Sequence, residues 1–353
     1  MKVKVGIIGA GGYGGCGAIE ILSRHPYAEI KCLVDIQDTG RLISEIYPHL
    51  KGFCDLPIIS PDDPVLENTD LDIVFFATPD GVGQSEAKRW LKRGVRIIDY
   101  SGDFRFNDPE TYKSYAERIG KKEPHKSPEL LKKAVYGLPE LHREKIKKAS
   151  IVGNPGCFAI SCILGLAPAV KYKLIEFESI ICDSKTGVSG AGKKPSPNFH
   201  YPARYDSMNA YKVAAHQHVF EIEKELSRLA NKELKITFTP HVVPMCRGIL
   251  STIYANLKEG FTLDDVFDAY REFYKNERFI RLFEPGTLLQ TAYVRGSNFC
   301  NICMEFDKRT RKLIILTAID NLVKGQAGNA VQNMNIMFGI DEDAGLLFSG
   351  NYP

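Results

Sequence analysis

The sequence predicts an α/β protein of two domains, and three observations support this. Its 353 residues are enough to build two sizeable cores. Residues 1–150 alternate strand and helix signals, which is typical of a parallel sheet covered by helices. Beyond Cys157, strand-like segments are separated by longer loops and amphipathic helices. This second pattern indicates an α+β domain with a mixed or antiparallel sheet.

Short apolar runs predict the strands, and helical spacing of apolar residues predicts the helices. The predicted strands of the first domain are Val3–Ile8 and residues 29–34, 73–77 and 95–100. The strand of residues 95–100 is expected to be the last of this domain. Residues 18–23 are expected to continue the helix that follows the first strand. In the second domain the predicted strands are residues 179–184, 235–239, Ile249–Leu257, 299–306 and 312–318, and the predicted helices are residues 221–229 and Leu263–Tyr274. Residues 192–208 contain Pro, Gly and aromatic side chains without periodicity, which predicts a long loop.

The composition is that of an ordinary soluble protein and argues against two classes of partner. Apolar residues make up 44% and charged residues 25%, and the net charge of +3 is spread along the chain. This pattern predicts binding neither to nucleic acid nor to a membrane. The weakly polar run of residues 157–170 is too short to span a bilayer. A strand follows the first residues directly, so we expect no signal peptide.

The nine cysteines predict free thiols rather than disulfide bonds. Their number is odd and their spacings are irregular, which fits reduced thiols and a cytoplasmic location. Cys300 and Cys303 have the spacing of a redox or metal-binding pair, but they lie in a predicted strand. Residues i and i+3 of a strand point to opposite faces. The sequence therefore predicts neither a redox pair nor a metal site.

A glycine-rich segment follows the first predicted strand and opens a helix. Such glycines allow a tight turn and let the backbone approach a pyrophosphate at the helix N-terminus. Asp35, at the end of the second strand, is placed to accept hydrogen bonds from a ribose 2′-OH. Together these signals predict a Rossmann dinucleotide-binding domain. The predicted cofactor-binding residues of this segment are Gly9, Gly11, Gly12, Tyr13, Gly14, Gly15 and Asp35.

Cys157 is the residue with the clearest chemical signal. It follows the turn Asn154-Pro155-Gly156 and begins an apolar run that predicts a buried helix. Backbone N–H groups at a helix N-terminus lack intrahelical partners, and the dipole there favours negative charge. A thiol in this position ionises below its usual pKa of about 8.5, and the thiolate is the nucleophile. The sequence therefore predicts a catalytic Cys157 rather than a cysteine that only fills core space.

Six motifs carry a resemblance to one family over nearly the whole chain. They are residues 99–105, 136–141, 152–157, 189–192, 216–221 and 320–325. In them the chain resembles the N-acetyl-γ-glutamyl-phosphate reductases of arginine biosynthesis, which are related to aspartate-semialdehyde dehydrogenase and, more distantly, to phosphorylating glyceraldehyde-3-phosphate dehydrogenase. The resemblance implies reduction of an acyl phosphate to an aldehyde through a thioester on Cys157.

The resemblance also implies an organisation of the chain. A Rossmann domain is expected from residues 1–150 plus 321–353, with a helix near residues 325–337 that packs back on it. An inserted α+β domain, residues 151–320, is expected to carry catalysis and oligomerisation. The implied assembly is a homodimer or homotetramer, and the implied ligands are NADP(H) and a small acyl-phosphate substrate.

The catalytic base is predicted from a pair of histidines. Aspartate-semialdehyde dehydrogenases are similar around residues 243–248 but carry their catalytic histidine next, where this chain has Ile249. The base must therefore come from His216 or His218, and the family match points to His218. From the residues alone, either histidine could equally be an ordinary polar residue near a helix start. A base of this kind takes the thiol proton and works best with a pKa near the working pH.

Other site residues follow from the same motifs. Arg105 and Arg247 are candidates for the phosphate and carboxylate of the substrate, because guanidinium binds both groups bidentately; each could equally form a surface ion pair. The glycines of the 189–192 motif admit a ligand against the backbone. Ser189, Gly190, Gly192 and Asn321 are therefore predicted to lie beside the cofactor.

Two departures from the family bear on the cofactor. The family's glycine loop usually carries threonines where this chain has Gly11 and Gly14. After the second strand the family typically has Ser-Ser-Arg, which holds the 2′-phosphate of NADP, whereas this chain has Val34-Asp35-Ile36. A carboxylate repels a phosphate, and isoleucine cannot replace the bidentate arginine. Asp35 and Ile36 therefore suggest NAD(H), although the resemblance implies NADP(H).

Alternative functions remain open at this level. The homologous reduction of N-acetyl-aminoadipyl phosphate, or of a carrier-bound form, differs by one methylene, which changes binding by only about 1–3 kcal/mol. Aspartate-semialdehyde dehydrogenase is a further alternative in the same class. A nucleotide-binding regulator that lost the chemistry is an alternative from another class, and the retention of Cys157 and His218 argues against it.

Overall fold

Two seven-stranded sheets organise the chain, one in each of two compact units. The computed structural model describes residues 2–353. The first unit comprises residues 2–156 together with Gln326–Leu347, and the second comprises Cys157–Gly325 together with Phe348–Pro353. Within residues 2–353, no helix is long and apolar enough to cross a bilayer.

The sheet of the first unit is parallel throughout, as its βα alternation predicts. Its strands are β1 (Val3–Ile8), β2 (Ala28–Val34), β3 (Ile58–Ile59), β4 (Ile73–Phe76), β5 (Arg96–Asp99), β6 (Ala134–Tyr136) and β7 (Ile151–Gly153), in the order β3-β2-β1-β4-β5-β7-β6. The four predicted strands are confirmed. The prediction that residues 95–100 complete the set is wrong, because β7 and β6 extend the sheet beyond β5. These two strands have three residues each, too few to show a periodic pattern.

Helices connect the strands of this sheet. They are α1 (Tyr13–Leu22), α2 (Ile43–Ile46), α3 (Val65–Asn68), α4 (Val82–Lys92), α5 (Pro109–Arg118), α6 (Pro128–Leu131) and α7 (Pro139–Ile146). The first of them directly follows β1 and a four-residue glycine turn. In a parallel sheet, ligands bind at the carboxyl ends of the strands. The carboxyl ends of β1 and β2 both lie next to this turn.

The second unit has a mixed sheet packed against helices. Its helices are α8 (Cys157–Lys171), α9 (Tyr201–Arg204), α10 (Val219–Ala230) and α11 (Leu263–Tyr274), and its strands are β8 (Ile175–Thr186), β9 (Asn209–Ala210), β10 (Thr237–Val242), β11 (Ile249–Leu257), β12 (Ile280–Phe283), β13 (Cys300–Asp307) and β14 (Lys312–Ile319). The strand order is β12-β13-β14-β11-β8-β10-β9, with parallel β8/β10 and β12/β13 pairs among antiparallel ones. The predicted mixed sheet is thus confirmed, whereas β9 and β12 were not expected. The predicted loop of residues 192–208 holds only one-turn helical pieces.

The last helix, α12 (Gly328–Met337), belongs to the first unit, where it contacts α1 and α7. A π-helical segment, Val323–Ala327, precedes it. All ten residues of α12 are buried, although several are asparagines or glutamines. Two of these asparagines donate hydrogen bonds to the carbonyl of Gly137, Asn329 at 2.7 Å and Asn333 at 2.9 Å. A buried polar helix is stable here because its side-chain amides satisfy backbone groups that would otherwise be unpaired.

Candidate active site

The glycine loop of the first unit is shaped so that side chains are excluded. Gly9 has φ +86°, and a Cβ there would lie 2.4 Å from the carbonyl oxygen of Ala77. A Cβ on Gly15 would lie 2.4 Å from the carbonyl oxygen of Gly9. At Gly12, the N-cap of α1, the nearest heavy atom to a Cβ would be 3.6 Å away, so a ligand has access to the backbone. Among residues 2–353, no side chain caps α1. The loop therefore fits a pyrophosphate at the helix N-terminus.

The space beside the backbone of Gly14 is limited by two side chains. A Cβ at Gly14 would lie 3.0 Å from the Nε2 atom of Gln326 and 3.3 Å from the ring of Tyr100. The crowding comes from Gln326 of the first unit's returning segment and from Tyr100, which follows β5. A side chain at this position would require these neighbours to move.

Asp35 is held against the glycine loop. Its carboxylate accepts hydrogen bonds from the backbone N–H of Gly11 at 2.9 Å and of Gln37 at 3.1 Å. The adjacent Ile36 is 82% exposed and offers no polar group. Arg41, the nearest downstream cation, donates to Asp38 at 2.8 Å. The end of β2 thus presents a fixed carboxylate and no arginine in the position after it.

The turn that leads to Cys157 is held by buried polar contacts within the first unit. Asn154 is fully buried, and its backbone N–H donates to the carbonyl of Asp99 at 2.7 Å. Its side-chain Nδ2 donates to the carbonyl of Gln326 at 3.0 Å, and its Oδ1 accepts from Asn329 at 2.8 Å. At Gly153 a Cβ would lie 2.2 Å from the carbonyl oxygen of Phe104, so only glycine fits. Sequence reasoning missed these partners because they lie far along the chain.

Arg105 lies beside this turn. It is buried, and its Nε donates to the carbonyl of Asn154 at 2.8 Å, while Nη2 donates to the carbonyl of Tyr100 at 2.5 Å. These bonds hold the backbone that precedes Cys157. The assignment of Arg105 to a substrate anion stays a prediction.

Cys157 is the first residue of α8, in the second unit, as the sequence predicts. It is half-buried. A Cβ on Gly325 would lie 2.8 Å from the Cβ of Cys157, so the close approach of this backbone requires glycine. The helix start supplies the N–H groups and the dipole that stabilise a thiolate. Sequence reasoning placed Gly325 in the 320–325 motif but did not predict this contact, because the contact joins the two ends of the second unit.

His218 occupies the position before α10 in the same unit, and its side chain makes no capping hydrogen bond to this helix. Its Nε2 lies 4.0 Å from the Oε1 atom of the buried Glu221. The ring of Phe158, the residue after Cys157, packs edge-on against His216 at 5.5 Å and His218 at 6.1 Å. Through Phe158, the start of α8 and both histidines share one cluster.

The two histidines have different environments. His216 is buried, its ring centroid lies 4.6 Å from that of His218, and its Nδ1 accepts a hydrogen bond from the backbone N–H of His218 at 3.2 Å. Burial, aided by the charge of His218, lowers the pKa of His216 to about 2. Burial also disfavours the charged form of the neighbouring Tyr211, so it raises the pKa of that phenol. The nearby Cys157 raises this pKa further. His216 therefore stays neutral near pH 7 and is a weak base, which favours His218 as the base.

The 189–192 motif and Asn321 are joined by hydrogen bonds. Asn321 donates from Nδ2 to Oγ of Ser189 at 3.0 Å and accepts at Oδ1 from the N–H of Gly248 at 2.7 Å. A Cβ on Gly190 would have its nearest contact at 3.6 Å, and one on Gly192 would meet nothing within 4 Å. The motif therefore leaves open backbone on a loop that Asn321 fixes.

Arg247 pairs with Asp320, a residue of the 320–325 motif whose partner sequence reasoning did not predict. Its Nη1 lies 3.8 Å from Oδ2 of Asp320, which is fully buried. The Asp320 carboxylate also accepts from the N–H groups of Gly296 at 2.7 Å and Leu322 at 2.8 Å. Arg247 remains partly exposed, so it retains access to a ligand.

Comparisons with known proteins agree with this architecture. Residues 4–149 match the family model described as semialdehyde dehydrogenase, NAD binding domain, and residues 157–321 match that described as semialdehyde dehydrogenase, dimerisation domain. The solved structure of aspartate semialdehyde dehydrogenase II from Vibrio cholerae superposes with a TM-score of 0.72 over 96% of this chain and 99% of that one, at 18% identity. The NADP complex of the Candida albicans enzyme gives 0.65 at 16% identity, over 96% and 99%. The fold and the site define an oxidoreductase of the semialdehyde dehydrogenase class with a nicotinamide cofactor.

Sequence comparison narrows the class. The chain is 48% identical to the N-acetyl-gamma-glutamyl-phosphate reductase of a Thermoanaerobacter species over 99% of this chain and 100% of that one. It is 46% identical to the enzyme of that name from Syntrophobacter fumaroxidans over 98% of both chains. The chain belongs to the N-acetyl-gamma-glutamyl-phosphate reductase family. The resemblance stated from the six motifs is thereby confirmed.

Proposed function

We propose that this enzyme reduces N-acetyl-γ-glutamyl phosphate to N-acetylglutamate semialdehyde, with release of inorganic phosphate, in arginine biosynthesis. The observation that carries the proposal is a thiol at the first residue of α8 in a chain nearly half identical to reductases of that name. The Rossmann part, residues 1–150 plus 321–353, would bind the dinucleotide. The part formed by residues 151–320 would carry catalysis and self-association, as the match to a dimerisation domain supports.

Cys157 is the proposed nucleophile. Its sulfur attacks the carbonyl carbon of the acyl phosphate, the bond to the phosphate oxygen breaks, and a thioester remains on the enzyme. The N–H groups at the start of α8 favour the thiolate, and the N–H of Cys157 is a candidate donor to the developing oxyanion. A nicotinamide bound to the first unit would supply the hydride needed to reduce this thioester. Collapse of the resulting thiohemiacetal frees the aldehyde and regenerates the thiolate.

His218 is the proposed base. It takes the thiol proton before the attack. Afterwards it transfers a proton to and from the thiohemiacetal oxygen. The buried Glu221 places a carboxylate oxygen 4.0 Å from Nε2 of His218. His216 is proposed as a positioning residue, since it accepts the N–H of His218 and stays neutral. Phe158 packs against both rings and links them to the start of α8.

Two further groups are proposed to handle ligands. Arg247, held by Asp320, would bind the phosphate or carboxylate of the substrate, with Arg105 as the second candidate. Ser189, Gly190, Gly192 and Asn321 would lie beside the cofactor. The proposed substrate is a small molecule. The enzyme is proposed to act as a homodimer or homotetramer in the cytoplasm.

We also infer that NAD(H) serves at least as well as NADP(H). The carboxylate of Asp35 is fixed by two backbone N–H groups where a ribose 2′-OH would donate to it. Ile36 stands where the family's arginine would bind a 2′-phosphate, and Arg41 is engaged by Asp38.

The proposal is tested by running the reaction in reverse. Phosphate-dependent reduction of NAD and of NADP is measured with N-acetylglutamate semialdehyde as the substrate. Aspartate semialdehyde and the aminoadipyl homologue are measured separately as alternative substrates. We expect turnover with the first substrate to exceed that with the others at least tenfold. Equal or better turnover with either competitor overturns the substrate assignment. Cys157→Ser is the control for enzyme-independent reduction.

A further inference from the structure

Three ligand-type side chains meet beside α1 in the first unit. Cys16 and Glu20 lie one turn apart on this helix, and His49 comes from the 3₁₀ turn Pro48–Leu50. Sγ of Cys16 lies 3.8 Å from Oε1 of Glu20, and Nε2 of His49 lies 2.9 Å from the same oxygen. The three ligand atoms all lie within 4.8 Å of one another. One sulfur, one nitrogen and one oxygen thus face a common point.

This donor set matches a borderline-soft divalent cation. Zn²⁺ takes thiolate sulfur at about 2.3 Å and imidazole nitrogen or carboxylate oxygen at about 2.0 Å in tetrahedral geometry. Ligand atoms of such a site then lie on the order of 3.3–3.5 Å apart. The observed 3.8 Å and 2.9 Å lie on either side of this range, so small side-chain shifts suffice.

The surroundings also suit a cation. Cys16 is buried, Glu20 is 29% exposed and His49 is 54% exposed, so the site is closed on the side of Cys16 and open to solvent on the side of His49. A water molecule from the open side would complete four ligands. On binding, the thiol has to lose its proton, and Nε2 of His49 has to exchange its contact with Glu20 for the cation. No short sequence motif reveals this group of three residues, because Glu20 and His49 are 29 residues apart.

We propose that Cys16, Glu20 and His49 form a binding site for Zn²⁺ or a cation of similar chemistry. The site lies on the helix that begins at the glycine loop. Tyr47, two residues before His49, donates a hydrogen bond from its hydroxyl to the carbonyl of Gly11 at 2.8 Å. A cation bound here fastens the segment of Tyr47 and His49 to α1. Because Tyr47 is hydrogen-bonded to Gly11, metal binding at this site would also help to order the glycine loop.

The experiment uses Co²⁺ as a spectroscopic probe. The protein is the full chain carrying Cys157→Ser, so that the catalytic thiol cannot bind the metal. Titration with Co²⁺ should give a thiolate-to-metal charge-transfer band that saturates at one equivalent per chain, and one equivalent of Zn²⁺ should abolish it. Dinucleotide binding by each variant confirms that the first unit is folded.

Matched variants locate the ligands. Cys16→Ser should remove the band, and His49→Gln, which keeps a hydrogen-bonding partner for Glu20, should weaken Co²⁺ binding at least tenfold. Cys246→Ser removes an exposed thiol elsewhere and should change nothing. The proposal is overturned if the starting protein shows no band, or if the band survives Cys16→Ser. Should Cys16→Ser fail to fold, His49→Gln decides, because this exposed side chain is not part of the core.

Discussion

Replacing Asp35 by serine together with Ile36 by arginine should shift cofactor preference toward NADP(H). In the structure the Asp35 carboxylate accepts two backbone N–H groups, from Gly11 and Gln37. A serine at this position retains one such acceptor, so the glycine loop keeps most of its support. Ile36 is 82% exposed, and an arginine there has room to reach a phosphate.

The size of the shift follows from charge. Two unit charges 4 Å apart interact by about 1 kcal/mol in water, and a 2′-phosphate carries nearly two, so removing the carboxylate relieves about 2 kcal/mol. An exposed arginine–phosphate contact contributes about 1 kcal/mol more. The sum of about 3 kcal/mol corresponds to roughly a hundredfold change in relative kcat/KM. Salt screens exposed charges, so the shift should shrink as ionic strength rises.

The assay is steady-state kcat/KM for both reduced cofactors, in wild type and in the double variant. Asp62→Ser, which removes an exposed carboxylate after β3, controls for the overall change in charge. Arg41→Gln tests whether that arginine contributes to binding of the phosphate, and we expect no effect. The reasoning is refuted if wild type prefers NADP(H) more than a hundredfold, or if the double variant shifts preference less than threefold.

Four further predictions concern the second unit. Cys157→Ser should abolish turnover but retain dinucleotide binding, and iodoacetamide should inactivate wild type with modification at Cys157; peptide mapping to Cys162 instead would contradict the assignment. His218→Asn should lower kcat by about 10²–10⁴ with little change in KM, and His216→Asn much less; the reverse order would exchange their roles. Gly325→Ala should lower kcat at least tenfold, because the new Cβ lies 2.8 Å from that of Cys157, and unchanged activity would exclude tight packing there. The pKa of His216 falls to about 2 in the folded protein against about 6.5 when unfolded, so the unfolded state binds more protons below pH 6.5. Stability should therefore fall by up to about 1.4 kcal/mol per pH unit below pH 6.5, and denaturant titrations at pH 7 and 4.5 should show a smaller loss in His216→Asn.

Much of the fold could be predicted because its signals are local. Strand β1, strand β11 and helix α11 have the predicted bounds, since each is long enough for apolar residues to show a period of 2 or 3.6. The short strands β3, β6, β7 and β12 have two to four residues and show no such period. They form because neighbouring strands offer a hydrogen-bonding edge, which is a tertiary property.

The chemistry was also visible in the sequence where it depends on neighbours along the chain. The glycine loop, the start of α8 at Cys157 and the His216–His218 pair all depend on backbone geometry within a few residues. Such geometry follows from the torsional freedom of glycine and from the unpaired N–H groups at helix starts. These features predicted the class of reaction before any contact was known.

Only the tertiary structure decided what surrounds those residues. Asn154 is anchored by Gln326 and Asn329, Arg247 pairs with Asp320, and the backbone of Gly325 passes close to Cys157. The grouping of Cys16 and Glu20 with His49 arises in the same way. These partners are separated by tens to more than a hundred residues, and no local pattern encodes such pairings. They depend on how buried polar groups find hydrogen-bond partners once the chain has packed, and that is settled only by the complete fold.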